Sequence, residues 1–199
     1  PTLPADKAGP KYLNTPTTPI YSKGDQFYGH PRPGSIPVIV EGPLDAVAVT
    51  LATAGRYTGL APLGTSLTDQ QAALLADQPR VVLATDNDTA GNTAADKDHF
   101  KLAVHRTDTL RAELPDGSDP AELLITHGPE ALTRCLDNAA PTTYRLIKSA
   151  DNDAGVERAL TAIAAAHPSV WQQSLERLRQ QTTIPEDALQ ARLVPLVDA

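Results

Sequence analysis

Methionine is absent altogether and cysteine occurs once, at Cys135, in a chain of 199 residues. One thiol excludes an internal disulfide and any multi-cysteine zinc site. On a helical stretch it reads as a small buried hydrophobe. The lack of methionine, position 1 included, is the pattern expected of a domain excised or processed from a longer polypeptide. No run approaches the ~18 apolar residues of a membrane span, and no basic-then-apolar segment opens the chain. The expectation is a cytoplasmic protein with no membrane partner. Positive charge is also scarce: 17 Lys and Arg stand against 24 Asp and Glu, a formal net charge of −7. That balance excludes a protein that coats nucleic acid by neutralising phosphates. It fits clustered carboxylates that hold divalent cations.

What is present is unevenly distributed. Residues 1–37 hold eight of the 18 prolines. Proline fixes its own φ and removes a donor, so an irregular arm is expected there, with short strands around Pro19–Ser22 and Gln26–Tyr28. From Ile36 the texture changes. Pro37-Val38-Ile39-Val40 is a continuous apolar run, as in a strand covered on both faces. A helix over Asp45–Ala54 follows, with Val47 and Leu51 at helical spacing and Gly55 as its stop. A second strand is placed near Thr58–Pro62, and Thr68 with Gln71 has the spacing of a capping box for a helix to about Asp77. Arg80–Thr85 is the clearest strand, then a helix over Ala90–His99 and a strand around Leu102–Arg106. The loop Leu114–Pro120 leads into helices near Ala121–His127 and Pro129–Asn138. Strands alternating with helices predict an α/β fold with a largely parallel central sheet flanked by helices.

Beyond Pro141 the pattern is helical only. Val156, Leu160 and Ile163 form one apolar stripe, Trp171, Leu175 and Leu178 another, and Leu189 with Leu193 a third. Breaks fall at His167-Pro168 and Ile184-Pro185. The expected organisation is an arm over 1–37, an α/β domain over 38–140 and a small C-terminal helical unit over 141–199. Trp171 reads as an anchor of that unit's core or as a partner contact.

Open parallel sheets bind ligands outside the carboxyl ends of their strands. Acidic groups stand at those places. Glu41 closes the first strong strand, with Asp45 four residues on. Asp86 closes the second, with Asp88 two residues later. Asp116 and Asp119 lie in the loop after the last strand. Carboxylates crowded on one edge repel unless cations sit among them. All-oxygen donors suit Mg²⁺ or Mn²⁺ rather than zinc, and two such ions serve phosphoryl transfer. Taken alone, Asp86-Asn87-Asp88 is equally a turn and helix-capping device.

Three stretches together, Glu41-Gly42-Pro43-Leu44-Asp45, Asp86-Asn87-Asp88-Thr89-Ala90-Gly91 and Asp116-Gly117-Ser118-Asp119-Pro120, resemble the signature of the Toprim domain. That domain is shared by DnaG-type primases, topoisomerases and several nucleases. Lys11-Tyr12-Leu13-Asn14 with Pro16, Lys23-Gly24 and Tyr28-Gly29 is similar to the segment preceding the domain in bacterial primases. Leu63-Gly64-Thr65-Ser66-Leu67-Thr68 resembles the primase segment between the acidic motifs.

The resemblance implies a primase catalytic core: attack of a primer 3′-hydroxyl on a nucleoside triphosphate, with release of pyrophosphate, on a single-stranded DNA template. It implies Glu41, Asp86 and Asp88 as catalytic residues, with Glu41 a metal ligand or acid/base group near the attacking hydroxyl. Asp86 and Asp88 would be the main ligands of two Mg²⁺ or Mn²⁺ ions, and Asp45, Asp116 and Asp119 would support them directly or through water. Lys11 and Lys23 would meet nucleotide phosphates, with Asn14 a polar contact beside them. A replicative helicase and other domains of a longer parent are the implied partners.

The chain departs from the pattern at Pro43, where many primases carry an aromatic, at Asn87, where they carry glycine, and at Thr89, where they carry arginine. Asn tolerates positive φ, so the turn survives. Loss of an arginine beside the phosphates bears on turnover more than on metal binding. The zinc ribbon and basic subdomain that the family places before this region are not in the sequence. Two other readings follow: a degenerate, non-catalytic Toprim module of a larger replication or plasmid-transfer protein, and a Toprim nuclease.

Overall fold

The computed structural model describes residues 18–19, 21–86, 89–105 and 108–197. Four parallel strands and one short antiparallel strand form its sheet: β1 Ile36–Ile39, β2 Tyr57–Leu60, β3 Arg80–Leu83, β4 Asp108–Arg111 and β5 Ala140–Pro141, in the spatial order β2-β1-β3-β4-β5. The neighbouring strands β1 and β3 lie where a continuous apolar run demands cover on both faces. In β1, Val38 and Val40 point to one side and Ile39 to the other; in β3, Val82 and Ala84 oppose Val81 and Leu83. All seven are at most 1% exposed. Removing each Val, Ile or Leu from water contributes roughly 1.5–3 kcal/mol, which sets the register.

One face is covered by α1 Pro43–Ala52, α4 Pro120–His127 and α5 Pro129–Asp137, through Ala46, Val49, Leu123, Leu132 and Leu136. Cys135 lies half-buried against this cluster. The other face takes α2 Asp69–Ala73 and α3 Thr89–Ala103, through Ala72, Ala95 and Leu102, with Leu67, Leu75 and Phe27. Helix α1 packs closely on β2 because Gly59 has no side chain; a Cβ there would sit 2.3 Å from the carbonyl oxygen of Ala46.

One expectation is refined and one corrected. Val47 and Leu51, at the expected helical spacing, lie on the outer side of α1. They are 38% and 69% exposed, while the small residues Ala46 and Ala48, with Val49, face inward. Small side chains allow the close approach at Gly59, which a Val/Leu stripe would block. The strand expected over Leu102–Arg106 is shifted: α3 runs on to Ala103, with Leu102 buried, and β4 begins at Asp108. Arg106 and Thr107 lie outside the described residues. The N-terminal segment is held by isolated bridges, Thr18 with Tyr21 and Tyr28 with Ala61, around a 3-10 turn at Lys23–Asp25.

After β5 the chain is helical: α6 Thr142–Lys148, α7 Asp153–Ala165, α8 Trp171–Gln181 and α9 Glu186–Val197. Asn152 caps α7 by accepting from Gly155 N (2.9 Å). The three apolar stripes meet in one core that includes Val156, Leu160, Ile163, Leu175, Leu178, Leu189 and Leu193, with Trp171 half-buried against it. The Trp171 ring nitrogen donates to Ala166 O at 2.9 Å. A carboxylate of the α/β layer, Asp96, ties this unit down through ion pairs with Arg145 on α6 and Arg158 on α7. Among the described residues no helix is long and apolar enough to cross a membrane.

Candidate active site

Because β1 and β3 are parallel neighbours, paired as Ile39 with Leu83, the residues just past their ends share one sheet edge. Backbone pairing continues one step further, with Ala84 N donating to Ile39 O (2.9 Å). Glu41 then lies beside Asp86, and its Oε1 accepts from Asp86 N at 3.2 Å. Glu41 is exposed and Asp86 half-buried. The two carboxylate residues are thereby fixed relative to one another. Gly91, in the first turn of α3, makes room for both: a Cβ would lie 2.3 Å from Asp86 O and 2.9 Å from Glu41 Oε1. Thr85 Oγ1 donates to Gly91 O (2.8 Å), drawing the start of α3 against the strand end.

Asp45 is 4% exposed and faces the backbone. Its Oδ2 accepts from Gly42 N (3.0 Å), closing the first turn of α1, and its Oδ1 accepts from Ala121 N (3.2 Å) at the start of α4. Asp119 caps α4, accepting from Glu122 N at 2.7 Å. Asp116 is exposed on the preceding turn, which Gly117 completes at φ +73°. The structure thus brings Glu41 and Asp86 into contact and joins Asp45 and Asp119 to the helix starts beside them. Asp88, Lys11 and Asn14 lie outside the described residues. Lys23 is exposed on the 3-10 turn, which is fastened to the core by Thr68 Oγ1 donating to Gly24 O and Gln71 Nε2 donating to Gln26 O (2.6 Å). Thr68 and Gln71 also form the predicted capping box of α2.

Three residues of this edge escaped the sequence reading. Arg111, 4% exposed at the end of β4, donates to Thr85 Oγ1 (2.7 Å), Thr85 O (3.1 Å), Asp86 O (3.3 Å) and Asn92 Oδ1 (3.3 Å). Burial pushes its pKa down, against the opposing pull of Glu41 and Asp86. Thr85 is the second, linking Arg111 to Gly91. Asp98 on α3 is the third. With Glu41, Gly64, Thr65, Thr85 and Gly91 it lines a cavity of about 190 Å³ behind the acidic edge. It is 1% exposed, accepts from Leu67 N (2.8 Å), and burial pushes its carboxyl up to about 6. The signal for Arg111 was a charged residue within a strand covered on both faces, hidden because the strand was placed six residues too early.

Among the described residues no three His, Cys, Asp or Glu side chains form a metal-holding group. The donor chemistry of the contact that is described, two carboxylates and the adjoining backbone carbonyls, is hard oxygen throughout and fits Mg²⁺ or Mn²⁺.

The Toprim-like family (Toprim_2) matches residues 38–124. The DNA primase of Clostridium acetobutylicum is 36% identical over 154 residues, 74% of this chain and 26% of the primase. That of Escherichia coli K12 is 36% identical over 151 residues, 70% of this chain and 26% of its own length. The chain therefore spans about a quarter of these curated relatives. Among solved structures, the DnaG primase catalytic domain bound to single-stranded DNA is similar with a TM-score of 0.72 at 27% identity, over 91% of this chain and 63% of that one. The zinc-binding and RNA polymerase domains of the Aquifex aeolicus primase give a TM-score of 0.72 at 25% identity, over 91% of this chain and 47% of that one. The chain carries a Toprim-like domain within a stretch similar to the catalytic cores of DnaG-type bacterial DNA primases.

Proposed function

We propose that this chain is the catalytic core segment of a DNA primase, a metal-dependent nucleotidyltransferase that makes RNA primers on a single-stranded DNA template. The observation that carries the reading is the contact of Glu41 with Asp86 at the ends of adjacent parallel strands, in a fold shared with primase cores over 91% of the chain. Within it, 38–140 is read as the catalytic domain, 1–37 as an arm on it and 141–199 as a docked helical unit.

Glu41, Asp86 and Asp88 would hold the ions, two Mg²⁺ or Mn²⁺ by the family resemblance. Bound divalent cations supply charge stabilisation at the attacking and leaving oxygens of an in-line displacement. The protein's own part is positional. Asp86 N holds Glu41 Oε1, so the Glu41 carboxylate is set at the rim where a primer 3′-hydroxyl would present its proton. Arg111 braces the Asp86 carbonyl from behind, and Asp45 locks α1 to α4 so that the strand end does not drift. Asp116 and Asp119 are assigned to support of the ions through water, Lys11 and Lys23 to the nucleotide phosphates, and Asn14 to a polar contact with them. The net charge of −7 indicates that other segments of a longer parent supply most of the template-holding surface. A replicative helicase is a proposed partner, and the cytoplasm the proposed location.

The test is Mn²⁺ binding to this chain, by anomalous diffraction and by electron paramagnetic resonance, before any primer assay. Density bounded by Glu41 and Asp86 that is lost in Asp86→Asn supports the reading. No binding at millimolar Mn²⁺ would overturn it in favour of a non-catalytic Toprim module. That alternative draws on the Asp45 carboxylate, both of whose oxygens accept backbone hydrogen bonds.

A further inference from the structure

Helix α7 ends on Ala164 and Ala165, with Ala166 as its cap, before the chain turns at His167-Pro168. These small side chains and Ala103, the last residue of α3, leave a cavity of about 510 Å³ between the helical unit and the α/β layer. Trp171 forms one wall, its indole fixed by the hydrogen bond to Ala166 O (2.9 Å). His99 and Thr109 contribute from α3 and β4. The cavity stands away from the acidic edge. Gly91 lies in the first turn of α3 and His99 in its second half, and Thr109 precedes Arg111 along β4.

The lining is mostly apolar, and among the described residues no Asp, Glu, Lys or Arg contributes to it. A charged occupant would lose its hydration there without gaining a counter-charge, so a neutral one is favoured. One polar group is left over. His99 is 6% exposed, its Nδ1 is hydrogen-bonded to Thr109 Oγ1, and its Nε2 has no hydrogen-bond partner among the described residues. Leaving a buried ring nitrogen unpaired costs about 1–3 kcal/mol. Burial lowers the His99 pKa to about 4, so the imidazole is neutral near pH 7. A hydroxyl both donates and accepts, and so pairs with either tautomer. The volume falls within the roughly 300–1,000 Å³ of small-molecule sites, and the indole wall favours an aromatic ring packed on it. We propose that this cavity binds a small neutral aromatic alcohol, its ring against Trp171 and its hydroxyl on His99 Nε2. Such a ligand touches both layers and stabilises their docking. The proposal does not rest on the nucleotidyl-transfer reading.

Trp171 is the chain's single tryptophan, so its fluorescence reports on the cavity directly. The probes are 2-naphthol and naphthalene, titrated separately into the full chain. The expected result is saturable one-site quenching by both, with 2-naphthol about fivefold the tighter and that preference lost in His99→Phe. Ala103→Leu and Ala165→Leu narrow the cavity and should each weaken 2-naphthol about tenfold or more. Ala165 is exposed, so its variant keeps the test readable if Ala103→Leu fails to fold. Ile125→Ser, exposed on α4 across the sheet, should leave binding unchanged. Absence of saturable quenching in wild type would overturn the site. So would quenching that ignores both alanine variants, which would place the probe in the groove that Trp171 shares with Leu193 and Val194 of α9. Equal affinity for the two probes in wild type would overturn the assignment of the hydroxyl to His99.

Discussion

Glu41 Oε1 and the backbone nitrogen of Asp86 stand 3.2 Å apart, so a side chain from the end of one strand is held by the main chain at the end of its neighbour. The contact depends on Gly91, whose missing Cβ leaves room for Asp86 O and Glu41 Oε1 alike. Gly91→Ala is expected to push the two strand ends apart. An overpacking cost of about 1–3 kcal/mol follows, together with loss of Mn²⁺ affinity. Glu41→Gln keeps the shape and an acceptor oxygen, so it should lower Mn²⁺ affinity with stability within about 0.5 kcal/mol of wild type. Urea unfolding and Mn²⁺ titration on both variants separate the effects. Unaltered metal binding in Gly91→Ala would show that the geometry of this contact does not matter to the site.

Asp45 offers a second separation of structure from chemistry. Both its oxygens accept backbone N–H groups, from Gly42 and from Ala121. Asparagine has one acceptor oxygen, and its NH₂ would face a backbone donor. Asp45→Asn is therefore expected to cost about 1–3 kcal/mol in urea unfolding. Asp116→Asn, on an exposed turn, should stay within about 0.5 kcal/mol. If Asp45→Asn unfolds like wild type yet no longer binds Mn²⁺, the residue is a ligand and the helix-locking account is wrong.

The two acidic strand ends were legible because a parallel strand covered on both faces writes itself as an apolar run, and the first carboxylate after it marks the sheet edge. Val38–Glu41 and Val81–Asp86 carry that signal plainly. Asp108-Thr109-Leu110-Arg111 does not, because two of its four residues are charged and a third is polar. The run Leu102-Ala103-Val104 took its place in the reading, although Leu102 and Ala103 end α3 and Val104, just past it, is 80% exposed. Missing β4 meant missing Arg111. The inner face of α1 was not legible for a related reason: Ala46 and Ala48 are weak hydrophobic signals beside Val47 and Leu51, yet only small residues fit against Gly59. Tail stripes were read correctly since Leu160, Ile163, Leu175 and Leu178 are large, periodic and unopposed.

Asp96 should hold the helical unit to the α/β layer. Its side chain is 13% exposed and receives both Arg145 and Arg158. Asp96→Ala leaves a half-buried guanidinium without its counter-charge, at an expected cost of about 3 kcal/mol. A lower urea midpoint for Asp96→Ala than for wild type is the expected result. Equal midpoints would mean that the two ion pairs contribute nothing to holding the helical unit in place.

Asp98 and His99, consecutive on α3, should oppose one another in the pH dependence of stability. Burial pushes the Asp98 carboxyl up to about 6 and the His99 imidazole down to about 4. For Asp98 the folded pKa exceeds the unfolded one, so the folded state binds the extra proton between about pH 4 and 6, and stability falls as pH rises through that window. For His99 the folded pKa lies below the unfolded value, so the unfolded state binds the extra proton between about pH 6.5 and 4, and stability falls as pH drops. In wild type the two contributions largely cancel. Asp98→Asn, which keeps an oxygen for Leu67 N, should gain on the order of 2 kcal/mol near pH 8 and keep only about half of that advantage near pH 5. His99→Gln should show the reverse slope, more favourable relative to wild type near pH 5 than near pH 8. Urea midpoints of the three proteins at the two pH values read this directly, because other titrating groups contribute equally to all three. Parallel profiles would mean that neither side chain is as dry as its burial in the fold dictates.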